Sequence, residues 1–140
     1  MSIIEKRPSK AKAPAFALVM ESDLDLRAVI RTALQLDGHR VECVADCAGV
    51  LAWRDKLGRP APDEFVLALG AVELDPEWET LKSALDDDAM LSRAAVIVLL
   101  TIRNGLTFPA RARILQKPFA IEELLALVAS DMAPAPRPPV

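Results

Sequence analysis

The run Glu64-Phe65-Val66-Leu67-Ala68-Leu69-Gly70 is almost continuously apolar, follows Pro60 and Pro62, and ends at a glycine. A segment of this length, bounded by breakers and without polar alternation, suits a strand buried on both faces in the middle of a parallel sheet. In open α/β sheets, ligand chemistry gathers at the carboxyl ends of such strands. Here that end reads Leu69-Gly70-Ala71-Val72, which holds no nucleophile, acid or metal ligand.

On either side the patterns alternate. Phe16 to Met20 reads as an apolar strand, and Ser22-Asp23-Leu24-Asp25 as a helix start with Ser22 as N-cap and acids in the first turn. Leu26, Val29, Ile30, Ala33 and Leu34 follow at helical spacing, and Gly38 closes the segment. His39 to Val44 alternates like a strand, with Val41 and Cys43 on one side; Val50, Trp53 and Leu57 mark a second helical stripe closed by Gly58. Asp75-Pro76-Glu77 predicts another helix opening, with Asp75 as N-cap and proline where a missing N–H does no harm. Trp78, Leu81 and Leu85 share a face of that helix. The acids Asp86-Asp87-Asp88 fall where the helix dipole disfavours anions, so the helix is expected to stop there in a solvated turn. Val96 to Leu100 and Arg113 to Leu115 read as strands, and Ile121, Leu124, Leu125 and Val128 as a last helix. Strand–helix alternation implies right-handed crossovers and an α/β doubly wound parallel sheet.

The totals narrow the function classes. A length of 140 residues, 52% of them apolar, favours one packed domain over about residues 15–132. It is flanked by a flexible basic arm at 1–14 (Lys6, Arg7, Lys10, Lys12) and a Pro-rich tail or linker at 133–140. A net charge of -3 gives no reason to expect nucleic acid or an acidic membrane as partner, and 4% aromatic residues leaves little material for base stacking. No apolar stretch approaches the ~20 residues that span a bilayer. Cys43 and Cys47 lack the paired elements of a zinc site and are expected to be structural thiols. With no sequence of a secretory signal, a cytoplasmic protein is the expectation.

Four stretches carry a resemblance to response-regulator receiver domains of two-component signalling. They are Ala17-Leu18-Val19-Met20-Glu21-Ser22-Asp23-Leu24-Asp25-Leu26-Arg27, Leu36-Asp37-Gly38-His39-Arg40-Val41-Glu42, Asp88 to Leu99, and Leu115-Gln116-Lys117-Pro118-Phe119. The resemblance implies a flavodoxin-like fold of five parallel strands in the order 2-1-3-4-5. In such domains two acids after the first strand hold Mg²⁺, and an aspartate after the third accepts a phosphoryl group. A hydroxyl after the fourth strand and a lysine after the fifth contact the phosphoryl oxygens. Those residue types suit the chemistry, because phosphoryl transfer to a carboxylate is mainly positioning and charge neutralisation.

Matched position by position, this sequence has a degenerate phosphorylation site. Glu21 stands at the first acidic position and Ser22 at the second. Counting back from the fourth strand puts Gly70 at the acceptor; counting forward from Pro62-Asp63 puts Ala68 there, and a compromise gives Leu69. The hydroxyl position falls on Leu100, or on Thr101 if the strand is one residue longer. Lys117 matches, and Lys117-Pro118 resembles the family's usual cis peptide, which makes Pro118 the cis-proline candidate. No metal is expected, although Glu21 with an inward-turned Asp23 offers a weak cation site; the bland reading makes Asp23 and Asp25 stabilisers of a helix N-terminus. Lys117 is expected to pair with Glu21 instead of a phosphoryl group. From Thr101 to Lys117 the chain is also several residues short for the family's fourth helix, so that helix is expected to be shortened or missing. Leu106 and Phe108 either fill the gap, the favoured reading, or form a contact patch.

Three functions follow. The first, favoured here, is a pseudo-receiver with no enzyme activity and no cofactor, acting as a phosphorylation-independent protein–protein interaction module. Its partner would be a histidine kinase, an output protein or itself, the last as a homodimer. The second is a receiver phosphorylated at Glu73 or Asp75. The third is a small-ligand-binding flavodoxin-like protein, against which stands the lack of any glycine-rich phosphate loop or catalytic constellation.

Overall fold

In the computed structural model the described residues are 16–57, 65–101 and 106–132, with the side chains of 131 and 132 excepted. The expected arm, tail and Gly58 cap lie outside them. Five parallel strands, β1 (Phe16–Met20), β2 (Arg40–Val44), β3 (Phe65–Gly70), β4 (Ala95–Leu100) and β5 (Arg113–Gln116), form one sheet in the order β2-β1-β3-β4-β5. Among the described residues four α-helices accompany them: α1 (Leu24–Leu36), α2 (Cys47–Leu57), α3 (Trp78–Asp87) and α4 (Ile121–Met132).

The period of two along each strand divides the core into two layers. Leu18 and Met20 of β1, Phe65, Leu67 and Leu69 of β3, and Val96 and Val98 of β4 meet Val50 and Trp53 of α2 and Trp78, Leu81 and Leu85 of α3. The intervening residues Ala17, Val19, Val66, Ala68, Ile97 and Leu99 meet Ile30 and Leu34 of α1 and Leu124 and Val128 of α4. Both faces of β3 are therefore covered, which is why its sequence shows no alternation. Trp53 stacks flat on Phe16, ring centroids 5.7 Å apart.

Local details differ from the sequence reading in three places. The N-cap of α1 is Asp23 and not Ser22: the Asp23 carboxylate accepts from the backbone N–H of Asp25 at 2.9 Å and Leu26 at 3.1 Å. A carboxylate is the stronger cap at a helix N-terminus because it also meets the dipole. Helix α3 begins at Trp78, two residues later than expected, after a turn in which Asp75 accepts from the N–H of Glu77 at 2.8 Å. At its other end α3 runs through Asp86 and Asp87, and the third acid is no solvated turn. One Asp88 oxygen accepts from Met90 N and Leu91 N, and the other meets Arg54 at 3.3 Å.

The connection from β4 to β5 shows no helix among its described residues, only a turn at 110–111. Leu106 and Phe108 pack on the α2/α3 layer, with the Phe108 ring 5.7 Å from that of Trp78, so they fill the gap. Arg111 fastens the segment by donating to the carbonyls of Leu85, Leu91 and Ala94 at 2.9–3.1 Å. No helix among the described residues is long and apolar enough to cross a membrane.

Candidate functional site

Parallel pairing brings the carboxyl ends of β1, β3 and β4 to one edge. Met20 pairs with Leu69 and Leu99 with Gly70, which places Glu21 and Gly70 side by side as the chain leaves β1 and β3. Of the three residues counted to the tip of the middle strand, Gly70 is the one that ends β3. Ala68 and Leu69 lie inside β3 with fully buried side chains.

Glu21 is 1% exposed, the one buried charged residue among those described. Its Oε1 accepts from Lys117 Nζ at 2.9 Å, and its Oε2 accepts from the Asp23 N–H at 3.0 Å. Lys117 is carried there by β5: its own N–H donates to Leu100 O at 2.7 Å, and the Lys117–Pro118 bond that follows is cis. A Cβ at position 70 would stand 2.1 Å from Glu21 Oε1, so the carboxylate occupies the space that any side chain at that position would need. The pair survives burial because each charge has the other and Glu21 has a further donor; alone, either would be costly.

Of the remaining candidates, Ser22, Glu73, Asp75 and Thr101 line one cleft together with this pair, while Asp23 is engaged elsewhere. Ser22 is exposed on the rim, and Asp23 is turned toward the first turn of α1. Thr101 is exposed, and its backbone N–H donates to Glu73 Oε2. Asp75 has both oxygens engaged, one with Glu77 N and the other with Cys47 N at 2.9 Å, so it ties the start of α2 to the turn before α3. Among the described residues no group of three or more His, Cys, Asp or Glu is arranged to hold a metal.

Above the pair opens a cleft of about 660 Å³, whose walls include Asp46, Ala71, Leu74, Asp75, Glu77 and Thr101. Four of these, Asp46, Ala71, Leu74 and Glu77, were not singled out from sequence. The Asp46 side chain accepts from Gly49 N at 2.8 Å and so caps α2, a role legible from an acid placed just before a helix. Ala71 takes a left-handed conformation (φ 60) to turn the chain away from Gly70, and Leu74 is 92% exposed on the rim. Nothing in their residue types signals either feature. Burial, followed by hydrogen bonding and charge repulsion from Asp75, pushes the Cys47 thiol well above its ordinary value; Asp46 and Glu77 add to the repulsion.

An acid after the first strand and a lysine after the fifth, facing the tip of the third across an open carboxyl edge, mark a flavodoxin-like α/β domain. Comparison with solved structures narrows this to the fold of response-regulator receiver domains. A putative response regulator from Chloroflexus aurantiacus superposes with a TM-score of 0.68 at 20% identity, over 86% of this chain and 98% of that one. The signal receiver domain of a histidine kinase from Syntrophus aciditrophicus gives 0.69 at 17% identity, over 90% and 97%. The chemotaxis protein CheY4 of Vibrio cholerae gives 0.66 at 22% identity, over 85% and 99%. No family model and no curated protein matches the sequence.

Proposed function

We propose that this chain is a receiver-like module of a two-component pathway that takes no phosphoryl group and works by binding a partner protein. The observation that carries this reading is the overlap of Glu21 with the space beside Gly70. The tip of β3 offers no carboxylate, and the lysine that would meet a phosphoryl oxygen is held by an internal acid at 2.9 Å. Glu21 supplies to Lys117 a permanent negative charge in place of a transient one. The module is therefore fixed in one signalling state and is not an enzyme. Its partner would be a kinase, an output protein or a second copy, met in the cytoplasm, and neither nucleic acid nor membrane is among its partners.

The test is intact-mass spectrometry of the full chain after incubation with acetyl phosphate and Mg²⁺, beside a receiver that is phosphorylated under the same conditions. No mass increase is expected here. A phosphoryl adduct, mapped by peptide analysis to Glu73, Asp75 or any other residue, would falsify the reading.

A further inference from the structure

The sheet order leaves β2 as an edge strand, paired on one side with β1 in unbroken register from Arg40 to Val44. Val44 O accepts from Glu21 N at 3.1 Å, so the backbone groups of Val44 face β1. By the alternation of a strand, those of Glu42 and Arg40 do the same. The N–H and C=O groups of Val41 and Cys43 therefore point off the sheet, and no hydrogen bond among the described residues meets them there.

Sheet edges are commonly blunted by a bulge, a proline or lysines. The strand Arg40-Val41-Glu42-Cys43-Val44 has none of these. Val41 and Cys43 are half-buried against the α1/α4 layer, while Arg40 and Glu42 are exposed on the other face. Opposite charges two residues apart on one face make a strand self-complementary toward an antiparallel copy of itself. The position of the two-fold axis decides whether the charges match. An axis at Glu42 sets two carboxylates face to face, which is destabilising. One at Cys43 leaves Glu42 opposite Val44 and carries the ladder past the end of the strand. An axis at Val41 sets Arg40 of each copy opposite Glu42 of the other, in the non-hydrogen-bonded pairs where side chains stand closest. It also lets the outward N–H and C=O groups of the two Val41 residues exchange hydrogen bonds. Arg40 is already steadied over the Phe16 ring, its guanidinium carbon 5.8 Å from the centroid, so it has less side-chain freedom to lose.

We propose that a second copy of this chain docks on the outer edge of β2, antiparallel and centred on Val41, so that the two sheets run on into one. A contact of this kind uses the same patch on both subunits and closes at two chains. Two exposed charge pairs and a short ladder make it weak, concentration-dependent and sensitive to salt. None of Glu21, Gly70 and Lys117 takes part, so its failure leaves the reading above standing.

Sedimentation velocity of the full chain over a range of concentrations should show a monomer–dimer equilibrium. Arg40→Glu and Glu42→Arg, each alone, put like charges opposite one another at two places and should raise the dissociation constant about tenfold. An equimolar mixture of these two variants has opposite charges at both places, so it should form a heterodimer although each variant alone associates poorly. That rescue also shows that both variants are folded. The double variant Arg40→Glu, Glu42→Arg should recover self-association in the same way. A natural chain that stays monomeric throughout overturns the proposal. So does a dimer that neither reversal weakens, which lies on another surface, and so does a mixture that associates no better than its components.

Discussion

At the scale of single residues, the Glu21–Lys117 pair is the most consequential contact. Replacing Lys117 by Met leaves a carboxylate that is 1% exposed without its counter-charge. Breaking a buried pair in this way costs about 3 kcal/mol. Urea denaturation should show a loss of that order for Lys117→Met, and Glu21→Gln added to it should recover most of the loss. Equal stability of Lys117→Met and the natural chain would mean that the ion pair is not what holds the tip together.

The two thiols, Cys47 buried and Cys43 half-buried, make a second residue-scale prediction. Cys47 and, to a smaller extent, Cys43 are held above the ordinary thiol value of 9.0, in both cases chiefly by burial. A raised folded value means that the native state keeps a proton that the unfolded chain releases in alkali. The stabilisation is complete below pH 9.0 and is lost as pH rises toward the folded value. Each such thiol sets a slope of about 1.4 kcal/mol per pH unit. Urea midpoints at pH 8 and pH 10 should fall more in the natural chain than in the Cys43→Ala, Cys47→Ala variant. Parallel pH profiles for the two proteins would rule the thiols out as the source.

At the scale of elements, the β4–β5 connection shows how a receiver-like sheet closes with no helix among the described residues of that link. Phe108 against Trp78 supplies apolar cover, and the Arg111 guanidinium supplies donors for three carbonyls around the end of α3. Burial lowers the Arg111 value somewhat, but arginine keeps its charge at any ordinary pH. Arg111→Met should cost about 2 kcal/mol, the usual penalty for leaving such acceptors unpaired. Hydrogen exchange should quicken first at residues 106–112 and around the end of α3, and uniform quickening across the sheet would argue against a local clamp. That the described part of this link holds no helix was legible in the sequence from the short span and Phe108-Pro109. Arg111 was not, because an arginine that binds carbonyls remote in sequence looks like any surface arginine. Asp88 misled for a related reason: three consecutive acids look solvated until Arg54 and two backbone N–H groups are brought to the last of them by the fold.

At the scale of the molecule, the five strands were readable because burial on both faces and burial on one face leave different patterns, while their order came only with the family resemblance. Which residue ends the middle strand was not readable, since β3 is uniformly apolar and a one-residue slip changes nothing visible along it. Only pairing with β1 and β4 sets its register, and that pairing puts Gly70 beside Glu21. Ser22 failed as a cap because two adjacent residues of similar capping propensity cannot be separated without backbone angles. A prediction about behaviour belongs here. Partners captured from a lysate by the full chain should be the same in identity and yield with and without acetyl phosphate and Mg²⁺. A partner gained or lost on that addition would show a switch that the tip of β3 does not explain.

The crowding at Gly70 also bears on how this sequence can change. An aspartate introduced at that position runs into the Glu21 carboxylate, while trimming Glu21 first strands the lysine ammonium in a half-dry crevice. Room at that tip therefore depends on the Glu21 carboxylate swinging aside or being shortened, so positions 21, 70 and 117 constrain one another and change as a set.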